Sequence, residues 1–344
     1  MDRDPRSHGQ AGTRTKIASV IFLIAFLSSS LQTGPALARA KRLDSGLISV
    51  GNTGEWPGII DVWAPNVEWR DIQPRRDRFR FGHIDEMISR ARASGDSLRL
   101  RIMAGRYSPG WVKRRFGTVG VYDPIDAILA DVPRWWVPRY MDAYRRLQSK
   151  LARRYDGIAI VRSVTVSGAM TVWAEPFIRG TSSPVTRRNL LRAGYTPRKD
   201  RRALLASIAA QKPWTRTRQV LALNPWQYVR VDGTFGFQTR FTNRVMNRFR
   251  AAFGRRAILQ NNSVRSSWLG NWPAGYDEMF AHMRTLGRPI SFQTAQTFRV
   301  GDLGAVLTWC LAQGAHGVEL HRGASDQLSS TQAANFDSQL EQHG

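Results

Sequence analysis

"VRSVTVSGAMTVWAE", Val161 to Glu175, decides how this chain is read. Its first half, Val161–Val166, is a short β-branched run of the kind that forms a parallel strand buried on both faces. Its second half ends in a carboxylate followed by Pro176. An acid placed just beyond a buried strand is either an exposed loop residue or a group held for chemistry. The neighbouring pattern favours chemistry.

Runs similar to Val161–Val166 recur along the chain. They lie at Leu47–Val50, Ile59–Trp63 with an extension toward Glu68, Leu98–Met103, Val220–Leu223, Ala257–Gln260, Ile290–Gln293 and Gly317–Leu320. Helical patterns separate them. "HIDEMISRARASG" spaces Ile84, Met87, Ile88 and Ala91 along one face and stops at Gly95. "YMDAYRRLQSKLARRY" sets Tyr140, Tyr144, Leu147, Leu151 and Tyr155 at steps of three and four, and the stretch from Arg187 to Ala210 is divided by Pro197. Eight strands alternating with helices predict an α/β fold, a single (β/α)8 TIM barrel. A doubly wound open sheet is the alternative, but no phosphate-binding glycine fingerprint follows an early strand.

A barrel concentrates its working groups at the C-terminal ends of the strands. Those positions hold Glu68 and Trp69, Arg101 and Arg106, Trp173 and Glu175, Asn224 and Trp226, Asn261 and Asn262, Gln293, and Glu319 with His321. The set is made of carboxylates, amides and indoles. It contains no clustered metal-ligand spacing and no nucleophile elbow, so neither a metal nor a cofactor is expected. Amides can donate to and accept from sugar hydroxyls, and indole faces cover the apolar faces of pyranose rings. Trp111, Trp173, Trp226, Trp268 and Trp272 all fall in expected post-strand loops. In the eighth strand, Val318 and Leu320 alternate with Glu319, which places Glu319 among the lumen residues.

The sequence carries 51 basic and 26 acidic residues, a formal charge of +25. The basic residues are dispersed, and no nucleic-acid-binding signature is present. Such a charge suits anionic surroundings, including an acidic polysaccharide or a cell-wall polymer. Cys310 is the sole cysteine, so no intrachain disulfide can form, and its apolar helical setting predicts a core position. At the N-terminus, Arg14 and Lys16 precede the apolar run Ile17–Leu27, and Ala36-Leu37-Ala38 fits a small-x-small cleavage site, with Ala38-Arg39-Ala40 as a second option. Residues 1–38 therefore read as a secretory signal, with an uncleaved anchor as the alternative. Its removal takes away four basic and two acidic residues and leaves +23 with no transmembrane segment expected. Export without disulfides points to a bacterial secreted or envelope-associated protein.

The stretch "VEWRDIQPRRDRFRFGHIDEMISRARASGDSLRLRIMAG", followed by "SPGWV", resembles the opening half of clan A glycoside hydrolases, especially β-galactosidase-like barrels. The matching features are Trp69 to Pro74, Phe79-Arg80-Phe81, Ile84-Asp85 and Pro109-Gly110-Trp111. The likeness runs through roughly residues 67–180. It implies that Glu175 is the general acid/base by position. Two departures stand beside it. The asparagine that precedes this glutamate in the clan is Ala174 here, and the strand-seven nucleophile position holds Gln293. Glu319 on the next strand is then a substitute for the second carboxylate, or the mechanism differs, or the protein binds glycans without cutting them. The expectation is a glycoside hydrolase acting on a poly- or oligosaccharide through Glu175 and Glu319. Glu68, Trp69, Arg101, Trp111, Trp173, Asn224, Trp226, Asn261, Asn262, Trp268, Gln293 and His321 would line the substrate. The alternatives are a non-catalytic glycan- or cell-wall-binding protein on the same barrel, and an envelope protein whose basic surface matters more than its cleft.

Overall fold

The computed structural model describes residues 39–51 and 54–344. The expected secretory signal, residues 1–38, lies outside the described residues. Eight parallel strands close into a barrel: β1 (Gly46–Ser49), β2 (Val62–Trp63), β3 (Ser97–Met103), β4 (Val161–Thr165), β5 (Arg218–Ala222), β6 (Ala257–Val264), β7 (Ile290–Thr294) and β8 (Ala315–Leu320). Closure comes from the pairing of β1 with both β8 and β2. A short extension of β2, Asn66–Glu68, continues along β3 and sets Asn66 opposite Arg101. The (β/α)8 barrel expected from the sequence is the observed fold.

Each barrel strand coincides with an apolar run read from the sequence, with shifts of a few residues. The second differs most, because Ile59 lies in a turn and Ile60 in the irregular segment before β2. In the sixth, Asn261 and Asn262 lie inside the strand rather than after it. Helices cover the outside of the barrel. The helix Pro138–Tyr155 starts with proline in its first turn, where the missing N–H costs nothing. It buries Tyr140, Tyr144, Leu147, Leu151 and Tyr155. Pro197 separates helices Pro184–Arg192 and Pro197–Ala209, each capped by a side-chain oxygen, of Ser183 and Thr196 respectively. Cys310 is buried in the helix Leu303–Ala312, and burial pushes its thiol pKa upward.

Two antiparallel hairpins interrupt the alternation. Thr118–Asp123 pairs with Ile128–Pro133 after β3, and Trp226–Val229 pairs with Phe235–Gln238 after β5. Trp226 is therefore a strand residue, and it is fully buried.

The loop that carries Glu175 is anchored at several points. Tyr140 donates to Gly168 O at 3.0 Å, and Tyr144 shares a hydrogen bond with Ser167 Oγ at 3.1 Å. Further along, Arg179 forms a fully buried ion pair with Asp200, through Nε at 2.9 Å and Nη2 at 2.8 Å. Asp200 also accepts from Trp135 Nε1, Trp226 Nε1 and Tyr195 Oη. One carboxylate thus ties the β4 loop to the following helices and to the second hairpin. Gly105 completes the anchoring. Its φ is +51°, and a Cβ there would lie 2.0 Å from Thr171 O, so only glycine allows the β3 and β4 loops to meet.

Asp200→Asn would leave the Arg179 guanidinium buried with no counter-charge. Breaking a buried pair in this way costs about 3–5 kcal/mol. Urea unfolding at neutral pH is expected to show a loss of that order, and a loss below ~1 kcal/mol would contradict the anchoring role of Asp200.

Candidate functional site

The lumen of the barrel is polar. In β3, Leu98, Leu100 and Ile102 belong to the apolar core, and the residues alternating with them include Arg99 and Arg101. Arg99 is fully buried. Its Nε donates to Asp44 Oδ2 at 2.7 Å, and its Nη1 lies 2.6 Å from Gln260 Oε1, 3.1 Å from Ser291 Oγ and 2.9 Å from Glu319 Oε1. One guanidinium therefore reaches residues of β6, β7 and β8 across the barrel. Arg101, one step closer to the C-terminal face, donates to Glu319 Oε2 and, at 3.3 Å, to Asn66 Oδ1.

Glu319 is completely buried and accepts from Arg99, Arg101 and, at 2.8 Å, the Gln293 amide. Burial alone would raise its pKa, but the charges of Arg101 and Arg99 outweigh burial and hold it below the ordinary glutamate value. Glu319 is an ionised carboxylate with most of its lone-pair positions engaged.

The pKa of Glu175 is shifted in the opposite direction. It is 8% exposed, and burial raises its pKa. A hydrogen bond from Asn262 and the charge of Arg101 offset this only in part, while the charge of Glu319 adds to the rise. Asn262 Oδ1 accepts from Gln260 Nε2 at 2.8 Å. The two carboxyl groups are thus joined by a continuous path through Arg99, Gln260 and Asn262. A cavity of about 10 Å³ lies beside Arg101, Ala174, Gln260 and Asn262, space for about one water.

A β-bulge positions Asn262. The register of β6 against β7 shifts between Asn261 and Val264, and Ser263 has a φ of +66°. A non-glycine residue in the left-handed region beside a lumen amide marks a locally constrained backbone. Asn261 faces away from this network and donates to Leu223 O at 2.6 Å.

The other expected site residues divide into two groups. Gln293 and Arg101 contact Glu319 directly, and His321 feels the charges of both Arg101 and Glu319, with burial lowering its pKa. Asn224 donates to Tyr276 Oη at 3.0 Å, and the Tyr276 hydroxyl feels the charge of Glu175. These residues gather around the two carboxyl groups. Trp69 and Trp226 do not. Trp69 is fully buried and donates to Gln73 Oε1 at 2.9 Å, and Trp226 belongs to the Asp200 cluster. Both indoles fill core space, so neither offers a face to a ligand. Glu68 pairs with Arg70. Trp111 is partly exposed and donates to Gln73 O at 3.0 Å. Trp173 is half-buried and packs beside Gly180. Arg265 stacks on Trp268, with its guanidinium carbon 3.8 Å from the ring centroid.

Sequence reading missed Asp44, Asn66, Arg99, Gln260, Tyr276 and Ser291. The period-two arginines in "SLRLRIM" were the available signal for Arg99, since a charge alternating with leucines in a buried strand must face a polar lumen.

The barrel has known counterparts in three dimensions. The catalytic domain of β-amylase from Paenibacillus polymyxa superposes with a TM-score of 0.54 and 11% identity, over 89% of this chain and 97% of that one. Endo-glycoceramidase II from Rhodococcus sp. gives 0.50 and 13% identity, over 87% of this chain and 80% of that one. β-Galactosidase from Bacillus circulans sp. alkalophilus gives 0.51 and 13% identity, over 88% of this chain but only 57% of that one. No protein-family model and no curated protein sequence matches the chain. The chain therefore has a glycosidase-like (β/α)8 fold, and at this level of identity the likeness is one of fold.

The opposite electrostatic settings of Glu175 and Glu319 can be measured directly. In a carboxyl ¹³C titration, Glu175 is expected to take its proton above the ordinary glutamate pKa of about 4.3, and Glu319 below it. Between the two midpoints Glu175 is neutral while Glu319 is charged. Coincident midpoints, or the reverse order, would refute this arrangement.

Proposed function

We propose that the protein is a glycoside hydrolase in which Glu175 is the general acid. The observation that carries this reading is the pairing, on one lumen network, of a buried carboxyl whose pKa is raised with a carboxylate whose pKa is lowered. Glycosidic bond cleavage needs one protonated carboxyl at the leaving oxygen and a negative group that supports the developing positive charge on the sugar ring. Glu175 fits the first role. Glu319 fits the second as a fixed negative charge, and its engagement by two guanidiniums makes it a weak nucleophile. Polar groups near the pair, from Asn262, Gln293, Asn224, Tyr276 and His321, suit the hydroxyls of a sugar. The glycosidase-like fold adds support.

The engagement of Glu319 also favours a second reading, glycan binding without cleavage. A carboxylate committed to Arg99, Arg101 and Gln293 is poorly placed to leave those partners for covalent chemistry. The two readings separate on a panel of aryl glycosides and oligosaccharides. For hydrolysis, Glu175→Gln is expected to lower turnover of a poor-leaving-group substrate by at least ~10²-fold, with a smaller loss on an activated aryl glycoside. Hydrolysis by the unaltered protein that Glu175→Gln leaves unchanged would reject the acid assignment. Binding without turnover of any panel member would favour the second reading. Glu175 is the cleaner target, because removing Glu319 would leave two buried guanidiniums uncompensated.

We also propose that the chain is exported and cleaved after Ala38. The packing of the residues that follow supports this. Lys41 Nζ donates to Ile158 O and Val161 O, each at 2.8 Å, so the mature chain would be held to the barrel almost from its first residue. N-terminal sequencing of the exported protein is expected to begin at Arg39, and retention of Met1 would contradict cleavage.

A further inference from the structure

The loops after β6 and β7 are drawn together at the C-terminal face. Ser266 Oγ accepts from Asp302 N at 3.1 Å, and Ala295 N donates to Val264 O at 2.7 Å. These contacts set the segments that carry Arg265 and Arg299 side by side, and the charge of Arg299 reaches Arg265. Like charges held together are unfavourable unless a counter-charge completes them. Neither guanidinium has a carboxylate partner among the described residues. Arg265 makes one side-chain hydrogen bond, from Nε to Ser263 O at 3.3 Å, and Asp302 directs its carboxylate to Ala305 N as a helix cap.

The setting of Arg265 is specific. It is half-buried, and its guanidinium lies 3.8 Å above the Trp268 ring. Stacking of this kind fixes the plane of the guanidinium, and neither terminal nitrogen of Arg265 has a hydrogen-bond partner among the described residues, which leaves both able to receive a carboxylate. Trp268 in turn contacts Tyr276 at 6.1 Å between centroids, and the Tyr276 hydroxyl feels the charge of Glu175. Arg265 is therefore linked through the Trp268 ring to Tyr276, whose hydroxyl lies within the electrostatic reach of Glu175. Phe298, next to Arg299, is 79% exposed and offers an apolar face at the same rim.

We propose that Arg265 and Arg299 bind the anionic substituent of an acidic saccharide, a uronic acid carboxylate, next to the Glu175 site. This rests on the carbohydrate reading of that site but not on hydrolysis. It differs from general attraction by the positive surface, because it assigns recognition to two residues at one end of the barrel.

The experiment measures binding. Oligogalacturonate, oligomannuronate and hyaluronan-type oligosaccharides are titrated into the Glu175→Gln protein at about 0.15 M salt. Their carboxyl-reduced counterparts and a sulfated neutral-sugar oligomer are run in parallel. Each variant is checked for folding by circular dichroism. At least one uronate oligomer is expected to bind, and its carboxyl-reduced form to bind at least ~10-fold more weakly, the range of a charge-assisted hydrogen-bond pair. The double variant Arg265→Gln/Arg299→Gln is expected to lose a similar factor. Arg39→Gln/Arg255→Gln removes the same charge from the opposite end of the barrel and is expected to change affinity by less than ~2-fold. Equal losses in the two double variants, equal affinity for reduced and native oligomers, preference for the sulfated oligomer, or no binding of any uronate would each overturn the proposal. Tight binding of the carboxyl-reduced forms, unaffected by either double variant, would leave the neutral carbohydrate reading standing while this one fails.

Discussion

The molecule is organised around one buried guanidinium. Arg99 has no exposure to solvent, and it lies at the centre of a closed barrel with Asp44 on one side and Glu319 on the other. Burying a charge of this kind is costly unless paired and hydrogen-bonded, and Arg99 is paired through Nε and Nη1 with residues from four separate parts of the barrel wall, while its Nη2 is buried without a hydrogen-bond partner. Asp44 precedes β1, Gln260 lies on β6, Ser291 on β7 and Glu319 on β8. The charge is satisfied only when the barrel is closed with these strands in register.

The same network sets the chemistry above it. By drawing Glu319 into an ionised state, Arg99 and Arg101 place a fixed negative charge below the C-terminal mouth. That charge adds to the rise in the pKa of Glu175, which burial dominates. The difference between the two carboxyl groups is therefore a property of the whole lumen. The Asp200 cluster plays the corresponding part outside the barrel. It fixes the β4 loop, so Glu175 is carried on an anchored segment. Pre-organisation of this kind matters for an acid, since proton transfer depends on a well-defined donor position.

Aromatic residues were the least predictable part of the site. Tryptophans after barrel strands read alike in a sequence, yet they have separate fates here. Trp69 and Trp226 are core, Trp111 and Trp173 are partly exposed, and Trp268 serves as the platform for Arg265. An indole can bury its large surface against the protein or against a ligand with similar gain, so composition does not distinguish the two. The hairpins at Thr118–Pro133 and Trp226–Gln238 have a related explanation. Their residues are only partly buried and lack the continuous apolar run that marks a barrel strand.

By itself the sequence determined the eight-strand alternation, the barrel, and the position of Glu175 beyond the fourth strand, because burial on two faces and helical spacing leave local patterns. It also placed Glu319 in the lumen through alternation with Val318 and Leu320. What only the tertiary structure decided is which groups meet inside. Arg99 lies 220 residues from Glu319 and 161 from Gln260 in the chain, and no local pattern relates them. The bulge at Ser263 lies beside Asn262, and the hydrogen bond from Asp302 N to Ser266 Oγ draws the loop of Arg265 to that of Arg299. Each of these depends on closure of the barrel, which fixes distances between residues far apart in sequence. The pKa of a carboxyl follows from its three-dimensional neighbours, so the upward shift of Glu175 and the downward shift of Glu319 belong to the fold and not to the sequence around either residue.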